Sequence, residues 1–147
     1  MDKQVIVTNS EKETRALASQ IGSMLSKGSV IALSGELGAG KTTFSQGLAK
    51  GLGVEEYVDS PTFSILKIYE GRLPLYHMDV YRLDEESMED LGLDEYLFGD
   101  GVCLVEWPSR IDSLLPEETI AIDIEALSTG ARAISIHSAK LYKGLMS

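Results

Sequence analysis

Residues 30–44 of the chain, VIALSGELGAGKTTF, contain the combination that decides its fold. An apolar run comes first and is bounded by turn-forming residues, which is typical of a strand covered on both faces. A glycine-rich loop follows, and then an amphipathic helix is predicted over residues 41–52, because Phe44, Leu48 and Leu52 recur every four residues. The loop, residues 35–42, fits the pattern G-x-x-x-x-G-K-[ST]. The succession of strand, glycine-rich loop and helix predicts a phosphate-binding loop, or P-loop, for a nucleoside triphosphate.

The residue types of this loop suit phosphate chemistry. Glycines leave room for successive backbone N–H groups to point at phosphate oxygens, and the N-terminus of the following helix adds partial positive charge. Lys41 is expected to reach the β- and γ-phosphates, and the Thr42 hydroxyl is expected to ligate Mg²⁺. The predicted nucleotide-binding residues here are Leu37, Gly38, Ala39, Gly40, Lys41, Thr42 and Thr43.

A magnesium ion at such a loop also needs an acidic side chain at the end of a neighbouring strand. Two strand-like segments end in an acidic residue: residues 102–106 end in Glu106, and residues 75–79 end in Asp79. Either carboxylate qualifies as a direct or a water-mediated ligand, and the sequence leaves that choice open.

Three other side chains each have two interpretations. Thr62, in the segment SPTF, lies about twenty residues after Lys41, where a loop that senses the γ-phosphate is expected; alternatively, the proline of that segment only starts a strand. His77 is either a sheet residue or a catalyst. Trp107 either packs in the core or supports Glu106 and a partner surface.

The rest of the chain predicts a single-domain α/β protein spanning residues 1–147. Ser10 and Glu13 form a capping box before a helix that is expected to stop at Gly28. That helix is predicted to bury Ala16, Leu17, Ile21, Met24 and Leu25. Strands are predicted over residues 5–7, 63–69, 73–80, 102–107, 120–124 and 133–136, and short helices over 84–91 and 94–98. We therefore expect a P-loop NTPase-like three-layer fold with a mixed β-sheet, and residues 139–147 as a docked or flexible tail.

Composition narrows the choice of function and compartment. The net charge is −10, from 23 acidic and 13 basic residues, so the chain lacks the basic footprint of a protein that binds RNA or DNA by itself. Its one cysteine, Cys103, permits no internal disulfide. No apolar run is long enough to span a bilayer, and a cytoplasmic protein without membrane or direct DNA partners is expected. ATP is favoured over GTP because no Asn-Lys-x-Asp element is present.

Four motifs together resemble the TsaE family, also called YjeE or YdiB, of bacterial P-loop ATPases. They are GELGAGKTTF at residues 35–44, SPTF at 60–63, YHMDVYRL at 76–83 and LVEWP at 104–108. The resemblance covers roughly residues 4–136 and fades in the C-terminal tail. The P-loop alone fits many families, whereas the combination of the four motifs is specific.

The resemblance implies a Mg-dependent ATPase that is weak alone and works in the synthesis of threonylcarbamoyladenosine in tRNA. The expected partner is a TsaB–TsaD-like heterodimer that is reset by ATP turnover, with tRNA met only through that partner. By position, Lys41, Thr62, Asp79 and Glu106 would be catalytic. Thr42, Asp79 and Glu106 would hold Mg²⁺, and Glu106 would also orient the attacking water. Two further implied nucleotide contacts are Glu11 near the base and Arg132 near the phosphates.

Two other functions are weighed against this one. A small-metabolite phosphotransferase would close an arginine-rich lid over the donor phosphates, and the five arginines here are scattered. A nucleotide-gated binding module, in which hydrolysis is incidental, is separated from an ATPase by replacing Glu106 with glutamine.

Overall fold

A central β-sheet dominates the computed structural model, which describes residues 4–35, 40–56, 58, 66–79, 89–90, 92–97, 99–106, 115–116, 118–127 and 130–137. Its strands are β1 (Gln4–Thr8), β2 (Val30–Gly35), β3 (Leu66–Tyr69), β4 (Leu75–Asp79), β5 (Val102–Glu106), β6 (Ile120–Ala126) and β7 (Arg132–His137). Three helices lie in the described ranges: α1 (Glu11–Met24), α2 (Lys41–Gly51) and α3 (Asp94–Leu97). The strand order is β1-β7-β6-β2-β5-β4-β3, so the predicted mixed sheet is confirmed.

The middle of the sheet is parallel and its edges are antiparallel. Strand β2 pairs in parallel with both β5 and β6, and β5 pairs in parallel with β4. Strand β3 is added antiparallel beside β4, which confirms the predicted hairpin, while β7 and β1 extend the other edge. Because parallel strands end at the same edge, the carboxyl ends of β2, β4 and β5 meet, and ligands bind to such sheets at this edge.

One face of the sheet is covered by α1 and α2. Apolar residues of both helices share a core with the side chains of β2, β5 and β6 that point to this face. Phe44 and Leu48 of α2 and Leu52 just after it are fully buried, as their four-residue spacing predicts. The helix that follows the glycine-rich loop is thus anchored on the sheet next to the end of β2.

The opposite face carries a second, smaller core. Leu93 and Leu97 pack there against alternate residues of the central strands, which are Val30, Met78, Cys103 and Val105. Helix α3 therefore forms a layer on the far side from α1 and α2. This arrangement confirms the three-layer α/β fold that the sequence predicts.

Helix α1 begins as predicted and ends earlier than predicted. The Ser10 side chain accepts a hydrogen bond from the Glu13 N–H at 3.1 Å, which caps the helix. The helix stops at Met24 and not at Gly28, because Arg72 from the β3–β4 turn donates to the carbonyl oxygens of Gly22 and Leu25. The prediction that Ala16 and Met24 are buried was wrong, since both side chains are exposed.

Parts of the predicted structure lie outside the described residues. They are most of the helix over residues 84–91 and the tail at 139–147. Within the described ranges, none of the helices is both long and apolar enough to cross a membrane.

Candidate nucleotide-binding site

The two glycines that border the P-loop have backbone positions that other residues do not fit. A Cβ on Gly35 would lie 2.8 Å from the Ile124 carbonyl oxygen of the neighbouring strand. Gly40 has a φ of +106°, a left-handed conformation that favours glycine, and it immediately precedes α2. Leu37, Gly38 and Ala39 lie outside the described residues.

Lys41 is the first residue of α2 and lies in the interior of the protein. Only 8% of the residue is exposed. Burial lowers the pKa of its ammonium group, while the nearby carboxylates of Glu106 and Asp79 oppose that shift. The lysine therefore lies within electrostatic reach of both acidic side chains that the sequence proposes as magnesium ligands.

Glu106 and Asp79 are brought together by strand register. Each is the last residue of its strand, and they are direct neighbours in the parallel pairing of β5 with β4. On its other side Glu106 pairs with Leu33 of β2, two residues before Gly35. Glu106 is buried and Asp79 is half-buried. The carboxylates thus lie side by side at the sheet edge where the P-loop starts.

His77 contacts Glu106 directly, and this contact was missed by the sequence analysis. The His77 Nε2 lies 2.6 Å from the Glu106 Oε2, and both side chains are buried. The H-x-D spacing places His77 and Asp79 on one face of β4, but the sequence does not give the register that aligns β4 with β5. His77 lies in β4, as its interpretation as a sheet residue expects, and its interpretation as a catalyst stays a prediction.

The family resemblance implies nucleotide contacts by Arg132 and Glu11, and these two residues have different surroundings. Arg132 is the first residue of β7, and its Nε lies 3.5 Å from the position that a Cβ on Gly40 would occupy. Its guanidinium is therefore next to the N-terminus of α2. Glu11 opens α1, is largely exposed, and forms an ion pair with Arg15 at 3.8 Å. The described contacts of Glu11 do not connect it to the P-loop.

The remaining predicted residues are placed as follows. Thr42 is exposed and Thr43 is half-buried, both in the first turn of α2. Thr62 and Trp107 lie outside the described residues. Among the residues that the structure describes, no three His, Cys, Asp or Glu side chains are grouped closely enough to hold a metal by themselves.

The fold and the site define a class of protein. The P-loop NTPase-like α/β fold has a parallel central sheet, a sequence segment bordered by glycines after β2, and a helix that begins with a buried lysine, and this chain has all three. The family model of the threonylcarbamoyl adenosine biosynthesis protein TsaE matches residues 8–134 of this chain. The chain therefore belongs to the TsaE family, which confirms the resemblance noted in its motifs.

Individual relatives agree with this assignment. The chain is 52% identical to the tRNA threonylcarbamoyladenosine biosynthesis protein TsaE of Bacillus subtilis, over 87% of this chain and 81% of that protein. It is 47% identical to the TsaE protein of Treponema pallidum, over 88% of this chain and 97% of that protein. A crystal structure of Bacillus subtilis YdiB matches the fold with a TM-score of 0.83 at 42% identity, covering 99% of this chain and 92% of that one.

Proposed function

We propose that the protein is a Mg-dependent ATPase that serves tRNA threonylcarbamoyladenosine biosynthesis, with residues 1–147 acting as one ATPase domain. The observation that carries this proposal is the grouping of Lys41, Asp79 and Glu106 at the carboxyl edge of the sheet, beside the start of the P-loop. Phosphoryl transfer requires a cation that binds phosphates, carboxylates that hold a metal, and a helix N-terminus that binds anions, and these residues provide all three.

Nucleotide binding is proposed to use the loop and the two cations beside it. Backbone N–H groups of the loop, including Leu37, Gly38, Ala39 and Gly40, would surround the phosphates. The Lys41 ammonium would bind the β- and γ-phosphates, and the Arg132 guanidinium, which is next to Gly40, would contact a phosphate from the β7 side. We keep Glu11 as a weaker candidate near the base, because its described contacts are with α1 itself.

The acidic residues suit Mg²⁺ in number and kind. This ion prefers oxygen ligands and is usually held by one or two carboxylates together with substrate phosphates and water. Asp79 and Glu106 would supply the carboxylates, and the Thr42 hydroxyl, in the first turn of α2, would supply a further ligand. When bound, the ion would offset the negative charge on the β- and γ-phosphates.

Hydrolysis is proposed to proceed by in-line attack of water on the γ-phosphorus, with cleavage of its bond to the bridging oxygen and release of ADP and phosphate. Glu106 would orient the water, and Thr62 would contact the γ-phosphate. Lys41 and the loop N–H groups would stabilise the charge on the transferred group. We expect slow turnover by the protein alone, and faster turnover when a TsaB–TsaD-like heterodimer binds and is reset for another round of tRNA modification.

Glu106→Gln tests this function. The amide keeps the shape of the side chain but lacks the negative charge that orients the attacking water, so we expect Mg-ATP to bind while turnover falls by about 100-fold or more. Binding is measured by calorimetry, and turnover by phosphate release with and without the heterodimer. Glu95→Gln is the matched control, because Glu95 is exposed on α3, on the opposite side of the sheet.

Three results would contradict the proposal. They are full turnover without any partner, undiminished turnover in Glu106→Gln, and rapid stoichiometric transfer of the phosphoryl group to a metabolite. If the tRNA modification pathway survives in Glu106→Gln while hydrolysis is lost, nucleotide binding alone is the function.

A further inference from the structure

The buried imidazole of His77 has one polar contact and one polar atom without a contact. Its Nε2 lies 2.6 Å from the Glu106 Oε2, and the two side chains are 0% and 5% exposed. Its Nδ1 is also buried and has no hydrogen-bond partner in the part of the chain that the structure describes. The interaction with Glu106 is therefore the one described polar interaction of this ring.

The unpartnered Nδ1 decides which ring nitrogen carries the proton. A buried N–H without an acceptor loses its hydrogen bonds to water without replacement, so a lone proton on Nδ1 is unfavourable. It would also leave the lone pair of Nε2 directed at a carboxylate oxygen, which is repulsive. With the proton on Nε2, the ring donates a hydrogen bond to Glu106, and Nδ1 is left as an acceptor. The geometry therefore indicates that Nε2 donates a hydrogen bond to Glu106.

The position of this contact suits the support of a carboxylate. His77 is two residues before Asp79, so both side chains point to the same face of β4. In the pairing of β4 with β5, His77 lies opposite Leu104, which is two residues before Glu106 in β5. That face is lined by apolar core residues such as Leu33 and Leu104. The imidazole N–H therefore offers the buried carboxylate a hydrogen bond that these apolar residues cannot provide.

We propose that His77 is a positioning residue for Glu106. By donating to Oε2 it fixes the orientation of the carboxylate and leaves Oε1 for the metal or the attacking water. This inference rests on the proposed function of Glu106. Hydrogen bonds that orient metal-binding side chains typically change affinity or activity by about 10- to 100-fold when they are removed. His77 itself touches neither the nucleotide nor water in this scheme.

The first test needs no ATP and thus does not depend on the proposed function. The chain has two histidines, His77 and His137, so a ¹⁵N-histidine NMR spectrum of the ligand-free protein contains two ring systems. His137→Gln assigns them. We expect the His77 Nε2 to carry a proton that exchanges slowly with water. An Nε2 without a proton would overturn the proposal.

The second test compares two substitutions of His77. His77→Gln keeps an N–H donor, whereas His77→Leu fills the space without one. We expect His77→Leu to change kcat and KM for Mg-ATP so that kcat/KM falls by about 10- to 100-fold, and His77→Gln to recover at least part of the loss. His137→Gln, which alters the other histidine, should leave both parameters unchanged. Equal losses in the Gln and Leu variants would assign His77 a purely structural role.

A double-mutant cycle shows whether His77 acts through Glu106. The measured quantity is the ratio of ATP affinities with and without Mg²⁺. His77→Leu should reduce this ratio in the wild-type background and leave it unchanged in the Glu106→Gln background. An equal reduction in both backgrounds would overturn the proposal. If the leucine variant does not fold, the same cycle is run with His77→Asn, whose shorter side chain does not reach Glu106. If wild type neither binds nor hydrolyses ATP, the proposed function fails, and the NMR result still decides the contact.

Discussion

The ammonium group of Lys41 is buried where water stabilises it poorly. Burial lowers its pKa below the ordinary value of 10.5, and the attraction of Glu106 and Asp79 acts in the opposite direction. Because the folded-state pKa is the lower one, burying the charged group costs folding free energy at neutral pH. This cost is relieved as pH rises from the folded-state pKa towards 10.5, where the unfolded chain also loses the proton. A bound polyphosphate would stabilise the charged form.

ATP affinity is therefore expected to fall as pH rises through this lowered pKa, since the phosphates interact with the ammonium and not with the amine. Lys41→Met should weaken binding at neutral pH by about 10- to 150-fold, the value of one charged hydrogen bond. It should also remove this part of the pH dependence. Calorimetric titrations from about pH 7 to about pH 10 measure both effects. Lys50→Met, at an exposed position of the same helix, is the control, and the same alkaline loss in Lys41→Met as in wild type would contradict the prediction.

Cys103 is expected to be chemically inert in the folded protein. Its side chain is 1% exposed, its Sγ–H donates to the Tyr96 carbonyl oxygen, and burial raises the pKa of the thiol to about 12. Iodoacetamide at about pH 8 should leave it unmodified in native protein and label it fully in urea, as measured by mass spectrometry. Because the folded-state pKa is raised, this thiol stabilises the fold below its unfolded pKa, and that contribution is lost as pH rises through about 12. Rapid labelling of folded protein would show that the site opens.

At the scale of the elements, α1 and α2 approach so closely that their contact requires glycine. A Cβ on Gly47 of α2 would overlap the Arg15 carbonyl oxygen and lie 2.8 Å from the Ala18 Cβ. A Cβ on Gly51 would overlap the Ser19 carbonyl oxygen in the same way, and a Cβ on Gly22 of α1 would overlap the Leu48 carbonyl oxygen. This backbone-to-backbone packing fixes the direction of α2, and with it the place of Lys41 at the helix N-terminus.

Gly47→Ala is therefore expected to destabilise the protein although alanine favours helices. Overpacking costs about 1–3 kcal/mol, and the gain in helix propensity is at most about 1 kcal/mol. Urea denaturation should show a lower free energy of unfolding, and ATP affinity should fall as α2 shifts. Gln20→Ala, at an exposed position of α1, should change stability by no more than about 0.5 kcal/mol. A more stable Gly47→Ala variant would mean that the helices separate without cost.

At the scale of the whole molecule, structural features that depend on residues close together in the chain were predictable from the sequence. Contacts between residues far apart in the chain were not. The strand before the glycine-rich segment and the helix that begins at Lys41 were predictable because apolar spacing and glycines act within a few residues. The contact of His77 with Glu106 was not, since it depends on the register between two strands. The end of α1 was misplaced for the same reason, because Arg72 caps it from nearly fifty residues away in the chain. Short-range sequence patterns thus predict the P-loop, whereas the arrangement of the site also depends on contacts between residues far apart in the chain.

The net charge of −10 leads to a prediction about RNA. Most of the affinity for nucleic acid comes from cations that replace the counterions of the phosphates, and an acidic chain repels phosphates overall. In fluorescence anisotropy titrations at about 0.15 M salt, labelled tRNA should show no binding to this protein alone. Adding a TsaB–TsaD-like heterodimer should produce binding whose salt dependence is that of the heterodimer, because the partner would supply the basic surface. Binding by the protein alone, weakening steeply with salt, would mean that its few cations form a local RNA site and that the partner is not needed to hold tRNA.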